Sequence, residues 1–216
     1  MTARRVRHEQ VRATRERIRS TAERLFAEYG MYAVSNRRIS EAAGQGNTAV
    51  VGYHFGTKAD LVRAIARHHA ERLELVSRRL LAETGESSAL RDWVACLVRP
   101  TPEYLAELGS PTWFARFCVQ VMADPVLHEI LVAEILSAPV WRQILVGLHG
   151  CLPELPEEVR AERTAMTRHV ILHMCADRER ALALGAVTPR ASWHDAATGI
   201  VDAVVGLWTA PVTRGF

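Results

Sequence analysis

The feature that most constrains the fold is a pair of short helices separated by two glycines within residues 39–55, ISEAAGQGNTAVVGYHF. The residues before Gly44 suit a helix, and Gly44 and Gly46 end it. Asn47 or Thr48 can cap a second helix by accepting hydrogen bonds from its free N–H groups. Gly44 also tolerates the positive φ of a tight turn. The pattern indicates a helix-turn-helix, although two packed helices of an ordinary bundle have the same spacing.

The charge of the chain is divided unevenly. Residues 1–82 contain 16 Lys and Arg against 8 Asp and Glu, whereas residues 83–216 contain 11 against 16. The net charges of these two parts are therefore +8 and −5. A basic first part predicts a polyanionic partner, either nucleic acid or an anionic membrane, and the helix-turn-helix favours double-stranded DNA.

Helical periodicity predicts that residues 14–56 form a three-helix domain. Its first helix is expected between a cap at Thr14 and a stop at Gly30, its second begins at Ser35, and its third covers residues 48–55. No strand pattern competes with these helices.

Two segments flank the three-helix domain. Residues 1–13 carry four arginines and few apolar side chains, which predicts a flexible basic arm that follows a phosphate backbone, or else a merely solvated tail. Beyond the domain, Thr57 and Asp60 have the spacing of a capping box. The helix that they begin is expected to connect the two domains over residues 57–82.

Three segments in the first third of the chain, TRERIRSTAERLFAEYG, RRISEAAG and YHFGTKADLVRAI, carry a family resemblance. In order and separation they resemble the DNA-binding region of the tetracycline-repressor (TetR) family of transcriptional regulators. The resemblance implies a homodimeric regulator, most often a repressor, with a pocket in a second helical domain. Binding of a small molecule there would change the spacing of the two DNA-reading helices and release DNA.

The reading helix departs from the family pattern. The interval from Gly44 to Tyr53 is one residue longer than in typical members, and Gly52 stands where many have an aromatic residue. We therefore expect an enlarged turn and a third helix that starts later or more loosely.

Seven side chains are predicted to contact DNA. Gln45, Asn47 and Thr48 are candidates for base contacts, since an amide can pair with the adenine edge and a threonine methyl can pack on thymine. The predicted phosphate contacts are Arg37, Tyr53, His54 and Lys58. The last three match the family motif, and Tyr53 and His54 also suit packing between helices. A dimer whose two third helices lie about 34 Å apart, or a multiple of that distance, would bind a near-palindromic sequence.

Residues 83–216 are expected to form a helical ligand-binding and dimerisation domain, which makes the whole chain all-α. A kink is expected at Pro139, and stops at Pro100 and Pro102. The predicted helices cover residues 89–98, 103–108, 113–122, 126–150, 157–185 and 192–210.

The last helix is apolar on two stripes, which indicates a homodimer interface formed by the last two helices, or else a central position in a monomeric bundle. The predicted interface residues are Val170, Ile200, Val201, Val204, Val205 and Trp208. A small, largely apolar effector is expected in a pocket lined by Trp113, Phe117, Gln120, Met122, Trp141 and His173, although each of these also suits an ordinary core.

Composition argues against other classes of protein. Four cysteines are too far apart for a disulfide framework or a CxxC metal site, and His169 and His173 lack an obvious third metal ligand. The sequence has no GxSxG, P-loop or HExxH motif. It also lacks the apolar segment of a signal peptide and any run of about 18 apolar residues. We expect a cytoplasmic protein that is not an enzyme and needs no metal, cofactor or membrane.

Ligand-responsive, sequence-specific regulation of transcription is the function that these patterns favour. The alternatives are a helical ligand-binding protein or enzyme whose basic N-terminus is incidental, and a DNA-binding protein that has no effector. Measuring the binding of duplex DNA at several salt concentrations distinguishes a regulator from the first alternative. Screening small molecules for thermal stabilisation distinguishes it from the second.

Overall fold

The computed structural model describes residues 3–212, and every regular element in that range is an α-helix, as the periodicity predicted. The helices are α1 (Ala3–Tyr29), α2 (Asn36–Ala42), α3 (Val50–Phe55), α4 (Lys58–Thr84), α5 (Leu90–Val98), α6 (Pro100–Leu108), α7 (Phe114–Met122), α8 (Pro125–Ile135), α9 (Pro139–Gly150), α10 (Glu157–Ala183) and α11 (Trp193–Thr209).

Helix α1 is longer than the sequence predicted. It begins at Ala3 rather than at Thr14, so residues 3–13 continue the helix where a flexible arm was expected. This stretch contains no glycine or proline, and Arg5 pairs with Glu9 one turn later at 3.2 Å. A sequence without an apolar face can therefore still extend a helix that is anchored further along the chain.

The predicted caps of α2 and α4 are present. The Ser35 hydroxyl accepts a hydrogen bond from the Arg38 N–H. Thr57 and Asp60 form the full capping box, in which each side chain bonds the backbone N–H of the other residue. Gly30, with a φ of +83°, follows α1 as expected. These local signals fix the orientation of the chain as it enters and leaves the first domain.

Prolines begin helices in the second domain instead of ending them. Pro100 is the first residue of α6, and Arg99 is at once the C-cap of α5 and the N-cap of α6. The predicted gap before residue 103 is therefore absent. Proline lacks an N–H, but the first turn of a helix leaves that N–H unpaired in any case.

Two helices, α8 and α9, replace the single kinked helix predicted over residues 126–150. α8 ends at Ile135, α9 begins at Pro139, and the two axes are bent by 90°. By length and composition this bent pair together meets the criteria for a broken membrane span, whereas no single helix within residues 3–212 does.

Helix α11 is tied to α10 by buried polar contacts. The indole N–H of Trp208 donates to the Thr167 hydroxyl at 3.0 Å. Two guanidinium nitrogens of Arg163 donate to the carbonyl oxygens of Trp208 and Ala210, at 2.7 and 2.6 Å. Arg163 thereby satisfies carbonyl groups that the end of α11 leaves unpaired.

A buried ion pair joins α7 to α10. Glu179, whose side chain is 1% exposed, accepts hydrogen bonds from the Arg116 side chain (3.1 Å) and the Arg116 N–H (3.0 Å). The carboxylate lies at the start of α7, where the helix dipole favours negative charge. This pair fixes the two helices on which much of the second domain is built.

Candidate DNA-binding surface and ligand cavity

The turn between α2 and α3 has the geometry that the glycines predicted. Gly44 has a φ of +67°, the left-handed region in which a side chain is strained. The fully buried Ser40 hydroxyl lies 2.9 Å from the Asn36 carbonyl oxygen and 3.3 Å from that of Thr48. α3 begins only at Val50, which is the late start expected from the longer interval.

Helix α3 has one face in the core and one in solvent. Val51 and Phe55 are buried, whereas Gly52 is exposed and Tyr53 is 84% exposed. A Cβ added at Gly52 would meet no atom within 4 Å, so the missing aromatic side chain leaves an open surface. This surface is free to enter a DNA groove.

The three predicted base-reading residues lie in the turn before α3. Asn47 and Thr48 are exposed, and Gln45 is half-buried. The Asn47 side-chain oxygen accepts from the Ala49 N–H at 2.8 Å, and the Gln45 side-chain nitrogen donates to the Ala43 carbonyl at 3.2 Å. Each amide therefore has one atom that orders the turn and a second atom left for a base.

The predicted phosphate contacts Arg37, Tyr53 and His54 lie on or beside the same surface. Arg37 is exposed, and its hydrogen bond to Glu41 raises its pKa. The His54 and Tyr53 rings meet edge to face with centroids 5.1 Å apart. Sequence reasoning missed Arg15 of α1, which donates to the His54 carbonyl at 2.6 Å and so ties α3 to α1. No local pattern distinguishes Arg15 from the other arginines of that helix.

Lys58 has a structural contact where the sequence predicted a phosphate contact. Its ammonium donates to the carbonyl oxygens of Met31 (2.7 Å) and Val34 (3.1 Å), and burial lowers its pKa. The reason is that the loop after α1 folds back over the start of α4. Lys58 therefore fastens the first domain to the connecting helix.

A cavity with an empty volume of about 870 Å³, its mouth included, lies in the second domain. Of the predicted lining residues, Met122 and Trp141 are present. Every helix from α4 to α10 contributes to the wall, and most of the wall is apolar. The apolar side chains include Leu73, Leu97, Phe114, Leu131, Ile135 and Leu145.

Three other residues predicted in the lining lie elsewhere. Phe117 is fully buried against Phe26 of α1, with ring centroids 6.4 Å apart, and Gln120 lies against Gly30. Trp113 is the half-buried N-cap of α7. Phe117 and Gln120 miss the cavity because the α7 face that carries them packs on the first domain.

His173, the remaining predicted lining residue, is exposed on the outer side of α10. Its Nδ1 lies 3.0 Å from the His169 carbonyl oxygen, and the Nδ1 of His169 lies 2.8 Å from the Ala165 carbonyl. Both rings therefore bond their own helix. Within residues 3–212, no group of three His, Cys, Asp or Glu side chains is placed to hold a metal ion.

The polar groups of the cavity wall include two buried donors without a partner in residues 3–212. They are the Nε of Arg168 and the indole Nε1 of Trp141. Burial lowers the pKa of Arg168. Sequence reasoning missed Arg168, since an arginine on a long helix is ordinarily solvated. Thr101, Thr164 and Thr167 complete the polar part of the wall.

Most of the predicted dimer residues lie inside the single chain. Ile200, Val201, Val204 and Trp208 are at most 4% exposed and belong to the core. Their assignment to a surface between two copies is therefore wrong, because α10 and the helices around α11 already cover them. Val170 and Val205 are only half-buried. The outer surface of α10 also exposes two methionines, Met166 (47%) and Met174 (54%).

An exposed helix-turn-helix joined to a helical domain with an apolar cavity defines a class of DNA-binding regulatory proteins. Two family models match the chain. The model of the tetR family of bacterial regulatory proteins matches residues 18–65, and that of the tetracyclin repressor-like C-terminal domain matches residues 95–206, more than half of the chain. The chain belongs to the TetR family.

Relatives with curated names are transcriptional repressors. The repressor AcnR of Corynebacterium glutamicum is 41% identical over 87 residues, which are 38% of this chain and 46% of AcnR. AcnR of Corynebacterium efficiens is 34% identical over 105 residues, or 44% of this chain and 55% of that protein. The chain thus spans about half the length of the curated relatives it matches.

Solved structures share the fold across nearly the whole chain. The regulator PfmR from Thermus thermophilus is 19% identical, with a TM-score of 0.53 over 93% of this chain and 98% of PfmR. RolR in complex with resorcinol is 17% identical, with a TM-score of 0.50 over 96% of this chain and 98% of RolR. These likenesses extend the fold assignment to both domains.

Proposed function

We propose that the protein is a sequence-specific transcriptional repressor that a small molecule releases from a near-palindromic operator. The observation that carries the proposal is the open face of α3, where Tyr53 is exposed while Val51 and Phe55 anchor the helix. Family membership and the names of the AcnR relatives support the repressor assignment. Because bacterial operators lie in the cytoplasm, the proposal places the protein there.

Phosphate contacts would supply most of the affinity and base contacts the specificity. Arg37 on α2 and Tyr53 on α3 are the exposed candidates for hydrogen bonds to phosphate. Asn47 and Thr48 are the exposed candidates for base edges, and Gln45 has a free carbonyl oxygen. The bonds within the turn hold these side chains in place before DNA arrives, which lowers the entropy cost of binding.

A homodimer would place two α3 helices on one duplex. The outer surface of α10 with Met166 and Met174 offers apolar area for a second copy. On α11, Ala203 and Gly206 are exposed small residues that let another backbone approach closely. A twofold arrangement through these faces reads two half-sites about 34 Å apart, or a multiple of that distance.

A buried chain of contacts would connect the cavity to α1. Phe114 lines the cavity and stacks on the His69 ring, with centroids 4.1 Å apart. His69 in turn lies 3.0 Å from a Glu23 carboxylate oxygen on α1 and 2.8 Å from the Tyr104 hydroxyl. Burial raises the pKa of Tyr104 to about 12, so the hydroxyl stays neutral. A ligand that moves Phe114 would shift α4 against α1, and this shift would move the DNA-binding helix α3.

The experiment that tests the proposal is selection of bound duplexes from a random library, followed by affinity measurements at several salt concentrations. We expect one near-palindromic sequence and a steep loss of affinity with salt. Asn47→Ala should weaken binding to that duplex about tenfold or more. The matched control is Gln143→Ala, which removes an exposed amide of the second domain.

Equal, weak binding to every duplex would remove the repressor assignment and favour a helical ligand-binding protein. Equal losses for the Asn47 and Gln143 variants would show that the turn does not read bases. Specific binding that no small molecule alters would leave a DNA-binding protein without an effector.

A further inference from the structure

The cavity wall restricts the body of its ligand to an apolar group. Leucine, isoleucine, valine, phenylalanine and methionine side chains make up most of the wall, and its empty volume is about 870 Å³. Because this volume includes the open mouth, the enclosed part holds a smaller group, and a longer ligand reaches into the mouth. An alkyl chain or an aromatic ring system therefore fits, whereas a sugar or a nucleotide would leave many hydroxyl or phosphate groups unpaired.

The free polar groups of the same wall are hydrogen-bond donors. The Nε of Arg168 and the Nε1 of Trp141 are buried and have no acceptor within residues 3–212. The Thr167 oxygen accepts from Trp208, so its own hydrogen is free to donate. No aspartate, glutamate or histidine lines the cavity among the described residues. The wall thus favours a ligand that accepts hydrogen bonds and disfavours a cationic ligand.

Arg168 adds a charge to this preference. No carboxylate lies within 4.0 Å of its guanidinium in the part of the chain that the structure describes. Arg168 is half-buried with its Nε enclosed, so this part of the cation lacks both water and a partner, and burial lowers its pKa. An anionic group bound there removes the cost, since an arginine and a carboxylate form two parallel charge-assisted hydrogen bonds.

We propose that the effector is an apolar monocarboxylic acid whose carboxylate pairs with Arg168 and whose body fills the cavity. A single guanidinium matches a single negative charge, and the Trp141 indole donates to an oxygen of the same ligand. That this acid controls DNA binding rests on the repressor function proposed above. That it binds the cavity rests on the wall alone.

The test is a thermal-shift and calorimetric panel on the full chain. The probes are octanoate, decanoate, dodecanoate and 4-phenylbutyrate, each with its methyl ester, and decylamine as a cation of matched length. We expect at least one acid to raise the melting temperature and to bind at least tenfold more tightly than its ester, with no stabilisation by decylamine. The proposal is overturned if no acid binds, if esters bind equally well, or if the amine binds best.

Variants assign the preference to the named residues. Arg168→Met should abolish the difference between acid and ester without lowering the melting temperature of the free protein, because it removes an unpaired cation. Arg168→Lys should keep a weaker preference, and it replaces the Met variant if that variant does not fold. Trp141→Phe should weaken acid binding several-fold. Arg142→Met, an exposed neighbour on α9, is the control and should bind like the original.

The acid preference and the repressor function can fail separately. If acids bind but no specific duplex is selected, the cavity assignment stands and the repressor proposal is wrong. If a duplex is selected but no acid binds, the repressor stands and the ligand class is wrong. A retained acid preference in Arg168→Met places the carboxylate elsewhere and overturns the role of Arg168.

Discussion

The surface around α3 and the cavity in the second domain differ in whether their polar side chains have hydrogen-bond partners. At the surface, Asn47 and Gln45 each bond the local backbone and remain near water. In the cavity, the Arg168 and Trp141 donors are buried and unpaired. An unpaired donor costs little in water and about 1–3 kcal/mol when buried. An unpaired donor in the wall of a cavity is therefore a candidate contact for a ligand, whereas on the surface shape and charge must identify the site.

The largest difference between the two domains is expected from breaking one ion pair in each. Arg116→Met leaves the buried Glu179 carboxylate without its charged partner and should lower the free energy of unfolding by about 3–5 kcal/mol. Arg37→Met breaks the exposed pair with Glu41 and should leave stability almost unchanged while weakening DNA binding. Urea titration and DNA affinity measure the two effects. Equal losses of stability would contradict the contrast.

The same substitution at two helical glycines should have opposite signs. A Cβ at Gly147 of α9 would overlap the Trp93 ring, so Gly147→Ala should destabilise the protein by about 1–3 kcal/mol. A Cβ at Gly52 of α3 meets open space, so Gly52→Ala should stabilise it by about 0.5–1 kcal/mol. Thermal unfolding checks both. Destabilisation by Gly52→Ala would show that the reading face is packed in solution.

A smaller effect is expected on the coupling between ligand binding and DNA binding, with both binding activities retained. His69→Phe keeps a ring against Phe114 but removes the hydrogen bond with Tyr104 and the close contact with the Glu23 carboxylate. We expect the variant to bind the acid alone and DNA alone as the original does. The coupling free energy, by which a bound acid weakens DNA binding, should fall by about 0.5–2 kcal/mol. Calorimetry with and without the selected duplex measures this coupling. Tyr104→Phe, which loses one hydroxyl, should have the smaller effect, and unaltered coupling in both variants would exclude this route.

The smallest effect concerns two capping boxes, one at the start of α4 and one at the start of α11. Hydrogen bonds from Thr57 lower the pKa of Asp60, and those from Ser192 lower the pKa of Asp195. Each carboxylate therefore stabilises the fold above the ordinary aspartate pKa of 3.8, and this contribution is lost as the pH falls through the lowered value. Asp60→Asn and Asp195→Asn should lower the melting temperature at pH 7 by similar amounts. The deficit should shrink toward pH 3, and a deficit independent of pH would assign it to packing.

Local signals in the sequence predicted the parts of the fold that depend on neighbours along the chain. Ser35 and Thr57 cap helices as expected, and Gly44 has the positive φ that the turn requires. The misplaced boundaries have a common cause. Proline stops a helix or starts one, and Pro100 and Pro139 are read correctly only when the direction of the preceding helix is known.

The cavity could be predicted only in part, because periodicity shows that a side chain faces inward but not which neighbour it meets. Phe117 and Met122 belong to the same helix, yet Phe117 packs on α1 and Met122 lines the cavity. Likewise, the apolar stripes of α11 predicted a burial surface, and the chain's own helices bury most of it. The number of apolar faces does not reveal whether the covering surface comes from the same chain.

The sequence by itself determined the all-helical fold, the helix-turn-helix and the family, because caps, glycines and periodicity act over a few residues. Only the tertiary structure decided that Lys58 faces inward, that Arg168 reaches a cavity without a partner, and that Trp208 is core. Each of these facts depends on residues brought together from distant parts of the chain. Whether a polar group has a hydrogen-bond partner, or an apolar group is buried, depends on how the whole chain packs.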